Sequence, residues 1–293
     1  MTSLDQIPPQ SCAASRWSTC RRRQDFETPE AGFVKDVDIA WDLRIVRKNM
    51  PIFHALVDYY NQAGFRPGSR PSYRDHEQAV ERLVQGVARI VDANGFVVEE
   101  LRMRLYGGWY EYPSGAETHD KVHLAQITGR LPRRLREMKT RPRLLVEAAE
   151  CLIAYPGERF VNTVRPESLP SRITVEPPPA NCSLRRASCP LTDLATWCRG
   201  RCPVDQCRTR TSDVASFRKQ KLIDTMLVAD TIMLSMTDDF VGVVSIDDDI
   251  LPGVLAAGRR SDKVVLIRFG KQKRSIHDDM INEYKIRCID VGA

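Results

Sequence analysis

The stretch VGVVSIDDDILPGV at residues 241–254 joins an apolar, β-branched run to three successive aspartates, Asp247, Asp248 and Asp249. Such a run is typical of a buried parallel strand, and its polar end then falls at the sheet edge where open α/β folds bind ligands. Three adjacent carboxylates repel one another, which favours a divalent cation among them. An aspartate-rich turn that caps the following helix is the alternative explanation.

An earlier segment, HALVDYYNQAG at 54–64, has the same form. Its apolar residues end in Asp58, and Asn61 follows three positions later. An amphipathic helix is predicted over 75–94, and a second strand over 98–111. This order predicts a right-handed β-α-β unit with parallel strands that begins at Asp58.

A third segment, KQKLIDTMLVADTIML at 219–234, has the apolar periodicity of a helix. This periodicity places Lys221 and Asp224 on one face, and Asp230 about a third of a turn away. A doubly wound sheet would bring the Asp224 helix close to the two strand ends, although the three segments lie far apart in the chain.

These three motifs, taken in order, resemble those of an NYN domain, a branch of the PIN-like nuclease superfamily typified by LabA-type proteins. The matches are Asp58-Tyr59-Tyr60-Asn61, then Lys221-Leu222-Ile223-Asp224 with Asp230, then Ser245-Ile246-Asp247-Asp248-Asp249-Ile250-Leu251-Pro252. The chain departs from the family pattern at Ile246, where the family has glycine, and at Ile250, where it has phenylalanine. The resemblance covers roughly residues 51–270 and includes a large interruption.

The resemblance implies a PIN-like/NYN three-layer α/β fold with a central, mostly parallel sheet. It also implies a metal-dependent ribonuclease, in which Mg²⁺ or Mn²⁺ activates a water and stabilises charge on the phosphate. The implied ligands of this metal are Asp58, Asp224, Asp247 and Asp249. Asn61 would orient Asp58 or contact a phosphate, and Lys221 or Ser245 would contact the scissile phosphate. Asp230 is expected to bond to backbone near the strand ends instead.

Charge distribution agrees with an anionic substrate such as single-stranded or structured RNA. The chain of 293 residues has a formal net charge of +6, and GRLPRRLREMKTRPR at 129–143 is strongly basic. Arg133, Arg134 and Arg136 are the predicted substrate-binding residues of this stretch, since such a stripe can follow a phosphate backbone. A solvated helix face is the alternative.

Five of the nine cysteines lie within residues 181–210, which interrupt the nuclease motifs. In a reducing compartment, this density favours a structural Zn²⁺ site closed by four thiolates. The candidate ligands are Cys198, Cys202 and Cys207, completed by Cys182 or Cys189. Free thiols in a loop are the alternative.

The predicted organisation is an N-terminal extension at 1–50, the NYN/PIN-like domain in two parts at 51–180 and 211–293, and the cysteine-rich insertion at 181–210. A helix is expected at 144–154, a short strand at 173–176 and a helix from Pro252 to Gly258. Two last strands are expected at 263–269 and 285–291.

The chain has neither a membrane-spanning apolar run nor a signal peptide, which predicts a cytoplasmic protein. A homodimer or a regulatory protein partner is compatible with the resemblance.

Two other functions compete. A non-catalytic RNA-binding NYN module would keep the fold while Ile246 alters the turn before Asp247. A haloacid-dehalogenase-like phosphatase would use Asp36 as nucleophile and Asp38 as general acid, but Ala40 and Lys35 fit that motif poorly.

Overall fold

The computed structural model describes most of the chain after the N-terminal extension. The described residues are 50–65, 70–168, 190–204, 206–214, 216–270 and 277–291. The predicted extension at 1–50, except Met50, and the predicted strand at 173–176 lie outside these ranges, as do Cys182, Cys189, Asp36 and Asp38.

The centre of the fold is a six-stranded, entirely parallel sheet with the strand order β3-β2-β1-β6-β7-β8. Its strands are β1 Ile52–Asp58, β2 Glu100–Tyr106, β3 Arg143–Ala148, β6 Phe240–Val244, β7 Val264–Phe269 and β8 Arg287–Val291. β1 and β6 are almost wholly buried, as expected for parallel strands covered on both faces. Both parts of the predicted domain therefore contribute strands to one sheet.

Helices cover both faces of the sheet, which gives a three-layer α/β fold. The helices are α1 Tyr59–Ala63, α2 Tyr73–Ala93, α3 His119–Thr128, α4 Pro190–Cys198, α5 Thr211–Val214, α6 Ile223–Leu234, α7 Leu251–Gly258 and α8 Asp278–Glu283. α2 and α3 pack on one apolar core, and α6, α7 and α8 pack on the other. Alternation along β1 divides its side chains, since Ala55 and Val57 face the first core and Leu56 faces the second.

Strands β4 Val164–Ser168 and β5 Ser216–Gln220 form a separate antiparallel ribbon. The cysteine-rich segment lies between these two strands in the chain, and α4 is part of it. We call the pair β4 and β5 the ribbon.

Most predicted elements of the main sheet are confirmed, with boundaries shifted by a few residues, but two assignments were wrong. Residues 143–148 form strand β3 and not the start of a helix, because parallel pairing with β2 overrides the helical preference of a leucine- and alanine-containing segment. The predicted helix over 219–234 begins only at Ile223, after β5 has ended at Gln220.

The order of the strands reverses between β1 and β6. From β1 the chain proceeds outward through β2 to β3, whereas from β6 it proceeds in the other direction through β7 to β8. Such a topological switch point opens a crevice at the carboxyl ends of its two strands. In the described residues, no helix is long and apolar enough to cross a membrane.

Candidate functional site

Asp58 and Ser245 meet at this switch point. Val57 and Val244 are register partners in β1 and β6, so the residue that follows each of them leaves the sheet at the same edge. The buried Ser245 hydroxyl donates a hydrogen bond of 2.9 Å to Asp58 Oδ2. Asp58 is itself 5% exposed. The two strand ends are thus joined by a polar contact inside the crevice.

The turn after β6 presents Asp247 beside this pair. Ser245 Oγ accepts a hydrogen bond of 3.0 Å from the Asp247 backbone amide. Asp247 Oδ1 in turn accepts one of 3.0 Å from the Asp249 amide, and so caps a short 3₁₀ turn over Asp248–Ile250. Pro252 lies in the first turn of α7, where the fixed φ of proline favours the start of a helix. The aspartate-rich turn is therefore both a helix cap and a cluster of carboxylates.

Ile246 fits the turn without the backbone conformation that would require glycine. It is absent from the described residues with positive φ, and its side chain is 43% exposed. A Cβ at this position consequently meets no conformational penalty. Isoleucine is therefore compatible with the backbone of this turn.

Asn61 connects the two halves of the cluster. Its Nδ2 donates to Asp58 Oδ2 at 2.6 Å and lies 3.4 Å from Asp247 Oδ2. Asn61 lies in α1, which begins directly after β1, so the spacing Asp-x-x-Asn returns its side chain to the strand end. Asn61 therefore holds two carboxylates toward one another.

Asp224 approaches from a different element, the first turn of α6. Burial and then the charges of Asp58, Asp247 and Asp249 raise the pKa of its carboxyl group, so Asp224 lies near these three carboxylates. Lys221 is not on this helix, contrary to the prediction that it shares a face with Asp224. It precedes the helix, and its backbone amide donates to the Thr163 carbonyl at 2.8 Å.

The residue between Lys221 and the helix has an unusual backbone. Leu222 adopts a left-handed conformation with φ of 70° directly before α6. Non-glycine residues in this region are uncommon and carry a conformational cost. This reversal turns the chain from β5 into the helix and so sets the direction from which Asp224 enters the cluster.

Burial and repulsion both act on the protonation of these carboxylates. Burial raises the pKa of Asp58, and the nearby charge of Asp247 raises it further, while hydrogen bonds from Asn61 and Ser245 lower it in part. Burial also raises the pKa of Asp224, followed by repulsion from Asp58, Asp247 and Asp249. Within the described ranges, no lysine, arginine or histidine forms an ion pair with any of the four.

The chemistry of this cluster fits a divalent cation that keeps much of its water. Carboxylate oxygens are the ligands that Mg²⁺ and Mn²⁺ prefer, and Mg²⁺ is commonly bound through only one or two protein carboxylates. No group of three or more His, Cys, Asp or Glu side chains forms a ready-made metal site in the described part of the chain. The cluster therefore fits a hydrated cation better than one enclosed by protein.

Asp230 makes other contacts than the carboxylates of the cluster, and one of them is with backbone, as expected. Its carboxylate accepts hydrogen bonds from the Tyr106 hydroxyl at 2.6 Å and from the Ile153 amide at 2.8 Å. Arg104 Nη1 lies 3.6 Å from it. Asp230 thus attaches the loop after β3 to the second core.

The predicted arginine contacts lie at the other edge of the sheet. The Leu144 amide donates to the Arg133 carbonyl at 3.0 Å, where β3 begins. The amino end of β3 is in register with Glu100 and Ile52, at the amino ends of β2 and β1. Buried Leu135 anchors the loop, which exposes Arg133, Arg134 and Arg136. The structure does not bring these arginines to the carboxylates.

The described cysteines form part of the predicted zinc set. The pKa of Cys207 is lowered by hydrogen bonds with Thr209 and, to a smaller extent, with Cys202. Cys198 ends α4. Cys182 and Cys189 lie outside the described residues, so the zinc site stays a prediction.

Sequence reasoning missed the basic pair Arg165 and Lys219 on the ribbon. The signal that pointed to it is the run Phe217-Arg218-Lys219-Gln220-Lys221 directly before the Asp224 motif. Because the sequence predicts a helix over 219–234, the end of this run was assigned to the surface of that helix and not to a strand.

Comparisons of the chain with protein-family models, with curated proteins and with solved structures find no match.

Proposed function

We propose that this protein is a metal-dependent ribonuclease with a PIN-like/NYN fold, which hydrolyses RNA phosphodiester bonds at the carboxylate cluster. The observation that carries the proposal is the convergence of Asp58, Asp247 and Asp224 from separate elements at the topological switch point. Repulsion among these carboxylates, which form no ion pair with a lysine, arginine or histidine of the described ranges, favours a bound metal. The resemblance to the NYN motifs supplies the reaction and RNA as the substrate.

Each residue of the cluster has a role in this proposal. Asp58 and Asp247 bind the cation, with Asp224 and Asp249 as further ligands, directly or through water. Asn61 and Ser245 donate hydrogen bonds that favour the charged form of Asp58, against the effect of burial, and fix its orientation. Lys221 lies close enough in the chain to Asp224 to contact the substrate phosphate. A bound Mg²⁺ or Mn²⁺ would supply an activated water and stabilise charge on the phosphate.

The cysteine-rich segment fits the same proposal as a small zinc-bound insertion. Thiol groups of Cys202 and Cys207 lie within hydrogen-bonding distance, as thiolate ligands of one ion would. Zinc would then stabilise a segment that has little core of its own.

A non-catalytic RNA-binding module is the second candidate. It is favoured by the lack of a ready-made group of three metal ligands among the described residues. In that case the carboxylates would shape the crevice and the basic surfaces would carry the affinity.

The test is cleavage of end-labelled single-stranded RNA in Mn²⁺, Mg²⁺ or EDTA by the wild type, Asp247→Asn and Asp248→Asn. Asp248 is the matched control, because it is an adjacent, exposed carboxylate outside the proposed set of metal ligands. We expect metal-dependent cleavage that Asp247→Asn abolishes and Asp248→Asn retains. RNA binding without cleavage in any metal would support the second candidate and contradict the first.

A further inference from the structure

The ribbon is attached to the sheet at its base, beside the carboxylate edge. The Val164 amide donates to the Tyr110 carbonyl at 2.9 Å, and its carbonyl accepts from the Tyr112 amide at 2.9 Å, in the loop after β2. Gly108 makes this approach possible, since a Cβ there would lie 2.4 Å from Val164 Cγ2 and 3.1 Å from Gln220 Cγ. The ribbon is thus held at the end where β4 begins and β5 ends, next to the loop that follows β2.

The outer face of the ribbon carries two opposed cations. Arg165 and Lys219 are direct register partners across the antiparallel pair, and both are exposed. Because side chains alternate along a strand, these two point away from the Val164 and Gln220 side that packs on Gly108. Like charges directly opposite one another destabilise a strand pair.

No carboxylate among the described residues offsets the repulsion between Arg165 and Lys219. Arg165 Nε donates to the Asn162 carbonyl at 2.9 Å, but no carboxylate among the described residues forms an ion pair with Arg165 or Lys219. An isolated two-stranded ribbon is only marginally stable in water. An anionic ligand that lies across both cations would remove the repulsion.

The ribbon also leads directly into the catalytic helix of the proposal. β5 ends at Gln220, and Lys221, the left-handed Leu222 and Asp224 follow within four residues. A polymer that contacts Lys219 is therefore close to the carboxylate cluster at the same sheet edge.

We propose that the Arg165 and Lys219 face of the ribbon binds the phosphate backbone of the single-stranded RNA that occupies the carboxylate cluster. This inference rests on the proposed function, because it takes the substrate of that site as its ligand. The two cations contact successive parts of the backbone without reading its sequence, so they add affinity to any strand that reaches the cluster.

The experiment measures the affinity of a fluorescent single-stranded RNA for the full chain in EDTA, across a series of salt concentrations. The variants are Arg165→Ala/Lys219→Ala and, as a matched loss of two positive charges, Arg89→Ala/Arg260→Ala. Arg89 and Arg260 are exposed and lie outside the ribbon, and their side chains donate hydrogen bonds to the Gln85 carbonyl and to Met236 Sδ. Thermal unfolding checks that each variant is folded.

We expect the ribbon variant to lose about tenfold in affinity at low salt and to reduce the slope of log K against log salt by about 1.4, the value for two lost phosphate contacts on a single strand. The control should change neither quantity by as much. Equal effects of the two variants, or an unchanged affinity and slope in the ribbon variant, would overturn the inference.

A charge reversal separates binding from ribbon stability. Arg165→Glu creates an attractive cross-strand pair with Lys219, so it should keep or raise the melting temperature. It should also weaken RNA binding, because it places a negative charge on the proposed binding face. Normal RNA binding by this variant would contradict the inference.

The two proposals fail in different ways. If the wild type cleaves no RNA but binds it through the ribbon, the ribonuclease proposal is wrong and the inference holds. If metal-dependent cleavage occurs and the ribbon variants bind RNA normally, the inference is wrong and the ribonuclease proposal holds.

Discussion

At the scale of single residues, Ser245 joins Asp58 to the turn that carries Asp247. Its hydroxyl donates to the carboxylate and accepts from the Asp247 amide, so one buried group positions two carboxylates from two strands. The motif resemblance suggested a phosphate contact for Ser245. The geometry adds a role in positioning Asp58 and Asp247, because the hydroxyl lies between the ends of β1 and β6.

Ser245→Ala should weaken RNA cleavage by about 10–100-fold, the usual cost of removing a group that orients a metal ligand. It should also move the acid limb of the pH-rate profile upward, because the hydrogen bond from Ser245 lowers the pKa of Asp58. Protonated Asp58 would then persist to a higher pH. A pH-rate series in Mn²⁺ measures both effects, and an unchanged acid limb would contradict this role.

Asp230 is expected to contribute to stability and not to metal binding. Asp230→Ala removes the buried partner of the buried Arg104 and the acceptor of the Tyr106 hydroxyl, while Arg104 keeps the more exposed Glu147 at 3.3 Å. Breaking a buried ion pair costs about 3–5 kcal/mol, and the remaining Glu147 places this loss near the lower end. Urea denaturation should show a loss of this order, whereas Tyr106→Phe should cost less, about 1–3 kcal/mol, since one hydrogen bond is lost. A loss of metal affinity with unchanged stability would refute the assignment.

At the scale of elements, the start of α6 shows what periodicity alone misses. The apolar pattern over 219–234 correctly indicated the helix, but the same pattern does not reveal a left-handed residue inside the segment. Leu222 takes that conformation because β5 must turn sharply into α6. β3 is a related case, because its helix-forming residues pair with β2 only in the tertiary fold.

Replacing Leu222 by glycine should raise the free energy of unfolding by about 1 kcal/mol, because glycine adopts positive φ without the steric cost that a Cβ imposes. Leu222 is 41% exposed, so little burial is lost. Leu222→Ala is the control, since it removes the same side chain and keeps the strained Cβ. Chemical denaturation compares the free energies of unfolding of the two variants, provided that their m-values are the same. Equal stability of both variants would show that the left-handed backbone at position 222 carries no strain.

At the scale of the whole molecule, the switch point could be anticipated from the sequence. Buried strands with an aspartate at or shortly after their end recur at Asp58 and Asp247, and parallel strands place such ends on one edge. The position of the arginine loop could not be anticipated, because charge patterning does not tell which edge a loop occupies. The ribbon likewise depends on pairing between strands about fifty residues apart.

The cluster should also reduce the stability of the unliganded fold. The pKa of Asp224 is higher in the folded state than in the unfolded state. At a pH between these two values, the folded state therefore binds more protons. The free energy of unfolding consequently falls as the pH rises through this range. Asp224→Asn should therefore melt higher than the wild type at pH 7, by about 1–2 °C because solvent screens the charge of the exposed Asp224, and the difference should shrink toward pH 4.

Added Mg²⁺ should close this gap at pH 7 by stabilising the wild type more than the variant. Thermal unfolding with and without Mg²⁺ measures it. A variant that melts no higher than the wild type without metal would contradict the repulsion on which the proposal depends.

The most direct measurement of the central claim is the single-turnover rate of RNA cleavage as a function of Mn²⁺ concentration, for the wild type and Asp58→Asn. We expect a rate that saturates with Mn²⁺ in the wild type, and a variant that needs on the order of tenfold more Mn²⁺ or loses cleavage altogether. Cleavage that persists in EDTA, or that shows the same Mn²⁺ dependence in both proteins, would contradict it.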